Sequence, residues 1–600
     1  MNSVPRLPLD CLIHIFSQLS PSRSQDGEIC VRTLARCSQV DTALRQASSV
    51  AAIWEPHYRT RYEQCNEVKD AERVKVYNDN FKLMFVERRR LDKIALTLMD
   101  KIVDSRQGRT EHAREVVKMG LDVWDALKLE AEALKGPLRT SSDGSIPKPN
   151  ATRSFWLHAI LEEIARGYGV RLWRQMVHNE VSYVDGYSSI SCFFGKTQKE
   201  INDLLHDVTA RGREYLRKAG FDLSFEVIGQ DVKPICVKIC QFMHDEGFGR
   251  VDADSFHNIK NQFPHCYLTT NRKTIPISLV HIFVAIGRAV GIQASPVDFP
   301  GRVLAHVADP RENEDDFFVD AFVDLSDPIL SLRDDIPRLL SRQGIPPDRT
   351  VDYISPCGPI SMLLRAGRNV MAALRSPINT SASLSRSSII FTLGMYIQLS
   401  DRPDLVRPFI SGCEPLDCAT FVAEDMIPSH PEDSRTHELL TVGINDVLER
   451  EKAEAEVVHY RSEADVSIQY FVGLLFRHRL YGYAGCIFGW DPVCAASEEW
   501  IREMRVDTLP RNRLQPFYHS FCDDGSIRYV AEDNITVLLN PSQGIFSTLE
   551  ENVNMLPRYF TGIHMVHAGN TSRGRFFLSP EVHKAYPEDD AIGRAWVEPS

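Results

Sequence analysis

Two stretches late in the chain decide how it folds: YFVGLLFRHRLYGYAGCIFGWDP at residues 470–492 and RNRLQPFYHSFCDDGSIRYVAEDNI at residues 511–535. Tyr470, Val472, Leu474 and Phe476 fall at every second position, the period of a strand. Short apolar runs recur at residues 485–490, 515–521 and 527–530, between Gly482, Gly485, Gly489, Asp491-Pro492 and Asp524-Gly525, the residues that tight turns need. The pattern predicts a small, strongly bent β-barrel. A single barrel with little catalytic chemistry suits recognition, so the rest of the chain must say what it is connected to.

Six hundred residues exceed one hydrophobic core, and three or four domains are expected. A hydrophobic content of 43% and a charged content of 25% are those of a folded chain, and the net charge of -12 disfavours a polyanion partner for the whole. Fourteen cysteines without a repeating framework, and no signal peptide, point to reduced thiols in the cytoplasm or nucleus. No apolar run reaches the ~20 residues of a membrane span, because the longest candidate, residues 275–290, is interrupted by His281 and Arg288.

Residues 4–19, VPRLPLDCLIHIFSQL, place Leu9, Leu12, Ile13, Phe16 and Leu19 on one helical face, with Pro8 suited to the first turn and Asp10 at its positive end. A second apolar cluster, LARCSQVDTALRQASS, leads to Ile53-Trp54 and Tyr58. Residues 1–60 resemble an F-box, in which a Leu-Pro opens the first helix, a Cys-Ser-x-Val segment lies in the second and a Trp closes the motif. The resemblance implies docking onto the Skp adaptor of a cullin ubiquitin ligase, with Leu7, Pro8, Leu12, Ile13, Phe16 and Trp54 as contact candidates. Periodicity alone allows the same side chains to fill a local helical core.

Residues 61–150 form a helical linker region, read as two or three long helices broken at Gly108 and Gly120. Arg88-Arg89-Arg90, flanked by Glu87 and Asp92, reads as a solvated helix face. Residues 135–149 read as a separating loop rich in Gly, Pro and Ser.

In residues 151–330 the segment 277–290 is apolar nearly all round, Pro276 can open it and Gly291 can end it, which marks a buried central helix. Residues 294–299, 303–307 and 317–323 read as strands, giving an α+β core. Cys236 and Cys240, with His244 on the same helical face, sit among Ile235, Val237, Ile239 and Phe242. They are expected to be core thiols, and no metal or cofactor is expected.

Asn258, Asn261, the IPISL of residues 275–279, Gly291-Ile292, the FPG of residues 299–301 and Val319-Asp320-Ala321-Phe322 give residues 155–448 a resemblance to the transglutaminase-like SirB family. The wider transglutaminase fold uses a Cys at the start of the central helix, a His on the next strand and an Asp on the one after, a thiolate activated by the helix dipole and an oriented imidazole. Here the nucleophile's place falls at or beside Pro276, Arg302 stands where a His commonly follows the FPG, and only Asp320 is retained. Such a degenerate triad implies a core that is not an enzyme. Cys266 with His265, and His306 as a substitute base, keep an active cysteine acyltransferase or protease as an alternative.

Residues 331–465 read as a helical, repeat-like extension and linker, with Arg365, Arg368 and Asn369 as a polar stripe on a buried helix. Residues 466–600 contain the barrel, further apolar segments that wrap it, and an acidic tail at residues 587–600 expected to be mobile. Arg477-His478-Arg479, Tyr481-Gly482-Tyr483, residues 489–492, Trp500, residues 515–518 and residues 528–534 resemble the YccV-like, or hemimethylated-DNA-binding, HspQ-like domain, which implies an SH3-like barrel. Residues 468–540 hold seven Arg, no Lys and nine Asp plus Glu, a net of -2, which disfavours DNA unless Arg477, His478, Arg479, Arg511 and Arg513 cluster. Tyr481, Tyr483, Trp500 and Tyr518 are the candidates for an exposed client-binding face; Trp490, Phe517 and Tyr529 are expected to fill the barrel.

The fold class expected is therefore multidomain α+β: a helical F-box, a transglutaminase-like core with helical extensions, and a small C-terminal SH3-like barrel. The order of these parts implies a substrate-recognition subunit of an Skp-cullin-F-box ubiquitin ligase, with the Skp adaptor, the cullin scaffold and protein clients as partners, and no membrane. DNA binding is the alternative for the barrel.

Overall fold

Strands Leu475–His478, Ala484–Asp491, Phe517–Cys522, Ile527–Ala531 and Ile535–Val537 make one antiparallel sheet. Its spatial order puts Ile527–Ala531 at one edge and Ile535–Val537 at the other, although only the turn Glu532–Asn534 joins them. Five flat strands would hold their edges ~19 Å apart, and three 3₁₀ residues advance ~6 Å. The sheet therefore curls on itself, as the turns and alternation predict. A bulge at His519/Ser520 and a tight hairpin through Gly525, at φ +81°, supply curvature.

The structure, a computed structural model, describes residues 7–23, 25–178, 180–223, 231–311, 314–322, 327–379, 382–464, 467–568 and 571–598. Val4, where the first apolar segment begins, and Val323, the expected end of a core strand, lie outside them. The fold is multidomain α+β. The chain divides into two compact units: residues 1–161 with 449–600, and residues 162–448.

In the first unit, helices Leu9–Ser17, Gln25–Cys37, Thr42–Ala47 and Ala51–Arg61 surround Phe16, Leu34, Ala47, Trp54 and Tyr58. The same cluster takes in Tyr62, Phe81, Met84 and Phe85, so the F-box-like helices share a core with helix Phe81–Asp104. Gly108 and Gly120 do break helices, both at positive φ. A further break comes at Asn78 and Asp79, whose short polar side chains tolerate the left-handed region, so residues 61–134 hold more helices than the expected two or three.

Arg88 is not on a solvated face. It is fully buried, donating to the carbonyls of Asp122 (3.0 Å) and Gln64 (3.1 Å), with its guanidinium 4.3 Å from the Tyr62 ring. Sequence shows a basic triplet; only packing shows that one of its three members turns inward.

Residues 135–149 do not merely separate. Strand Arg139–Ser141 pairs in parallel with Phe560–Ala568, which forms a hairpin with Thr571–Leu578. That hairpin and helix Gln543–Asn552 wrap the barrel, contributing Phe546, Leu549, Ile563 and Phe576 to its core. The acidic tail, expected to be mobile, instead forms helix Asp589–Val597. Asp589 is buried and accepts hydrogen bonds from Val472 N (2.7 Å), Trp490 Nε1 (3.1 Å) and Arg461 Nε (2.7 Å).

In the second unit, helix Pro276–Ala289 is buried from Pro276 to Gly287. Beside it runs an antiparallel sheet of Ala294–Val297, Leu304–Val307, Phe317–Val319 and Ile329–Ser331. The last strand has no sequence signal, being three half-exposed residues inside a polar stretch. Helices Pro359–Leu374 and Ala382–Ser400 pack beyond it, and Arg166, buried, ties the helical part together through Glu163 (2.6 Å) and Asp417 (2.7 Å).

Candidate functional site

Around the start of the central helix, Asn261 is the organiser. Its carbonyl accepts from Thr274 Oγ1 (2.9 Å) and Ser278 Oγ (2.6 Å), while its amide donates to the carbonyls of Ser255 and Phe256. The first helical residue is Pro276, buried, preceded by extended Ile275. The helix N-terminus has the place for a nucleophile that the resemblance implies, and a residue there without one.

Asp320 is buried and receives Phe322 N on one oxygen and the Arg302 guanidinium on the other. The carboxylate that would orient a histidine is thus occupied by a cation that cannot act as a base. The FPG turn that carries Arg302 is itself held, because Arg365 and Arg368 both pair with Asp298, Arg368 at 3.1 Å. Arg365 and Arg368 of the polar stripe expected on helix Pro359–Leu374 thus clamp that helix to the turn after strand Ala294–Val297.

The alternative nucleophile is not assembled. Cys266 is half-buried on the short helix Pro264–Tyr267, its thiol held above the ordinary range by burial, with Lys260 and Lys196 as the charges that act on it. His265 stacks on Phe263, bonds Ser191 Oγ (3.1 Å) and is pushed down to about 4 by burial. His306 pairs with Asp316 at 3.0 Å. A thiol raised and imidazoles engaged elsewhere are the reverse of a thiolate–imidazolium pair.

One polar knot was invisible in the sequence, where His281 only interrupts an apolar run. It is fully buried, with Tyr267 Oη at 2.7 Å from Nδ1 and the Val184 carbonyl 3.1 Å from Nε2, between the rings of Tyr183 and Tyr187. Burial pushes it down to about 4, so it is neutral and structural.

The adaptor-contact candidates divide by depth. Leu7 and Pro8 are exposed, Leu12 and Ile13 are half-buried against the helical core, and Phe16 and Trp54 are buried in it. Trp54 donates to the Ser48 carbonyl at 2.6 Å and meets Phe85 edge-on. Phe16 and Trp54 are therefore core and not contact surface, because a stripe that faces a partner and one that faces the neighbouring helix share one period. Leu9 and Ile15 on the first helix and Ile29 on the second are exposed apolar side chains that the candidate set omitted.

The barrel candidates also divide. Tyr481 is 70% exposed and stacks on His478, whose other neighbour is the half-buried Tyr483, itself capped by the Arg528 guanidinium at 4.0 Å. His478 Nδ1 accepts from Leu480 N and Tyr481 N, and burial followed by the Arg528 charge lowers its pKa, so the ring is neutral. Trp500 is half-buried against Tyr529. Tyr518 is not exposed: it is fully buried, donating to Glu532 (2.5 Å) and accepting from Tyr470 N (3.1 Å). Its strand position faces inward across from Trp490, which the aromatic run alone does not reveal. Arg511 pairs with Glu532 and Asp533, Arg513 with Glu498 and Asp507, and Arg528 with Asp524.

A family model described as "Transglutaminase-like superfamily" matches residues 198–367, and one described as "Hemimethylated DNA-binding protein YccV like" matches residues 468–565. "F-box only protein 21" of Pongo abelii is 27% identical over 352 residues, 56% of this chain and 51% of that protein. The Mus musculus protein of that name is 27% identical over 413 residues, 66% and 60%, and the Homo sapiens one 27% over 353 residues, 56% and 52%. The chain thus spans between 51% and 60% of the length of these relatives. No solved structure matches it. The chain carries a transglutaminase-like domain followed by a YccV-like domain and is similar to F-box only protein 21.

Proposed function

We propose that this chain is the substrate-recognition subunit of an Skp-cullin-F-box ubiquitin ligase and has no active site of its own. The observation that carries the reading is helix Leu9–Ser17, which buries Phe16 and leaves Leu9 and Ile15 uncovered, with Leu7 exposed just before it, in a chain similar to proteins named for an F-box. The transglutaminase-like core then acts as scaffold, since Pro276 offers no nucleophile and Arg302 occupies Asp320. Clients are held by the core and by the stacked Tyr481, His478 and Tyr483, with Trp500 nearby in sequence. Ubiquitination follows from proximity, the held client presenting its lysines at high effective concentration.

DNA is the poorer ligand for the barrel. Of the expected cluster, Arg511 and Arg513 are spent on carboxylates and His478 is neutral, which leaves Arg477 and Arg479 to meet phosphates. The fourteen free cysteines suit the reducing cytoplasm or nucleus, where we place the protein.

Co-expression with an Skp adaptor tests the reading. Leu9→Asp with Ile15→Asp puts two charges on exposed positions, and co-elution with adaptor and cullin should disappear while the melting profile stays. Undiminished co-elution of that folded variant, or none of the wild type, refutes the ligase assignment. Removing residues 1–60 is a poorer test, because it strips Phe81, Met84 and Phe85 of their packing partners.

A further inference from the structure

Within the second unit, a pocket of ≈ 300 Å³ opens between helix Lys233–Asp245, the two-stranded ladder of Gly249–Arg250 with Lys273–Thr274, and the pair Ala321-Phe322. Its floor is apolar: Met243, Phe248, Leu279 and Phe322 line it, together with the thiol of Cys240, and the His244 imidazole stands at its side. Its wall carries Arg250 and Lys273. The parallel register sets Lys273 opposite Gly249, over which its side chain lies: Nζ is 3.0 Å from where a Cβ would stand. The Arg250 guanidinium lies 5.1 Å from the centroid of the Phe322 ring.

Other arginines of this core are engaged: Arg302, Arg311, Arg365 and Arg368 each hold a carboxylate, and Arg288 donates to the Ala294 carbonyl and Ser295 Oγ. Arg250 and Lys273 make no ion pair among the described residues, and no carboxylate among them lines the pocket. The nearby Asp320 is neutralised by Arg302, and Cys240, kept protonated by burial, adds no negative charge. Two cations over an apolar floor do not suit inorganic phosphate, which would leave the floor wet. They suit a group with a charged end and an oily body.

We propose that this pocket binds an organic carboxylate with an apolar body, its carboxylate between Arg250 and Lys273 and its body against Leu279 and Phe322. Such chemistry comes either from a free aliphatic acid or from the C-terminal residue of a peptide ending in an apolar side chain. The residues that line the pocket all belong to the second unit, the exposed F-box-like positions to the first.

The test uses the full chain and two probes: hexanoate, by titration calorimetry, and a fluorescein-labelled pentapeptide ending in leucine, as free acid and as carboxamide, by anisotropy. At least one free acid should bind, the leucine acid at least about tenfold tighter than its amide if the source is a peptide. Hexanoate binding without peptide binding assigns the site to free acids. In either case Arg250→Gln with Lys273→Gln, both at the surface, should abolish binding with an unchanged thermal midpoint. The proposal falls if neither acid binds below about 1 mM, if the only binding seen is to the peptide with acid and amide equal, or if the double variant binds like wild type.

Discussion

The C-terminal helix is a lock on the barrel, and Asp589 is where the lock can be opened. One of its oxygens accepts both Val472 N and Trp490 Nε1, and the other accepts Arg461 Nε, whose remaining donors go to the carbonyls of Ile468 and Tyr470. Asp589→Ala leaves two buried N–H groups without an acceptor and a mostly buried cation without its counterion. The first loss is worth about 1–3 kcal/mol per group and the second about 3–5, so at least about 5 kcal/mol is expected. Asp589→Asn, with its carbonyl on the Val472 and Trp490 side, keeps both N–H bonds and loses only the charge pair, and about half the penalty is expected. Because the chain has two units, the readout should be local: hydrogen exchange at Gly473 and Ile487, which keep their own acceptors in each other's strand segment. Exchange should accelerate in the order wild type, Asn, Ala, by at least roughly three-thousandfold at the end of the series if 1.4 kcal/mol is tenfold. Exchange within twofold of wild type in Asp589→Ala would refute the view of the tail as a structural part of the barrel.

Three further expectations follow from burial and charge. Phe16→Ala should cost about 3–5 kcal/mol, seen as early melting of the N-terminal helices by circular dichroism, whereas Ile15→Asp should leave the melt unchanged. Histidines 265 and 281 are pushed down to about 4 from 6.5, so their neutral forms support the fold fully above pH 6.5, and that support is lost as pH falls toward 4. At about 1.4 kcal/mol per unit, each withdraws about 3 kcal/mol over that window, and His281→Gln should visibly flatten the stability profile between pH 6.5 and 4.5. Iodoacetamide at neutral pH should modify the exposed Cys11 before Cys266; a Cys266 that reacts faster than a free thiol would revive the cysteine-enzyme reading.

What the sequence made legible was local. Turn residues and alternation around residues 470–535 suffice for a curled sheet, and the all-apolar run after Pro276 suffices for a buried helix, because each rests on spacing within one element. What escaped depends on partners far along the chain. Arg139–Ser141 becomes a strand only because Phe560–Ala568 lies beside it, and helix Asp589–Val597 is ordered because Val472, Trp490 and Arg461 need its carboxylate. The site residues divide for the same reason. Tyr481 and Tyr518 both sit in aromatic runs, yet a loop exposes one and an inward strand position buries the other.

The arginines of the core give the scaffold reading a physical basis independent of the missing nucleophile. In a working triad the carboxylate must stay free to orient an imidazole, and that imidazole must move a proton to and from substrate. Here Arg302 neutralises Asp320 permanently, since a guanidinium does not deprotonate, and it stands on a turn anchored at Asp298 by two more arginines from helix Pro359–Leu374. Restoring only a thiol, as in Pro276→Cys, would not supply a base, because Asp320 stays paired with Arg302. It would also give up a residue whose fixed φ suits the first turn of the central helix. Removing Arg302 instead would strand a buried carboxylate. The two changes that a thiol–imidazole pair would need here each cost stability when made alone.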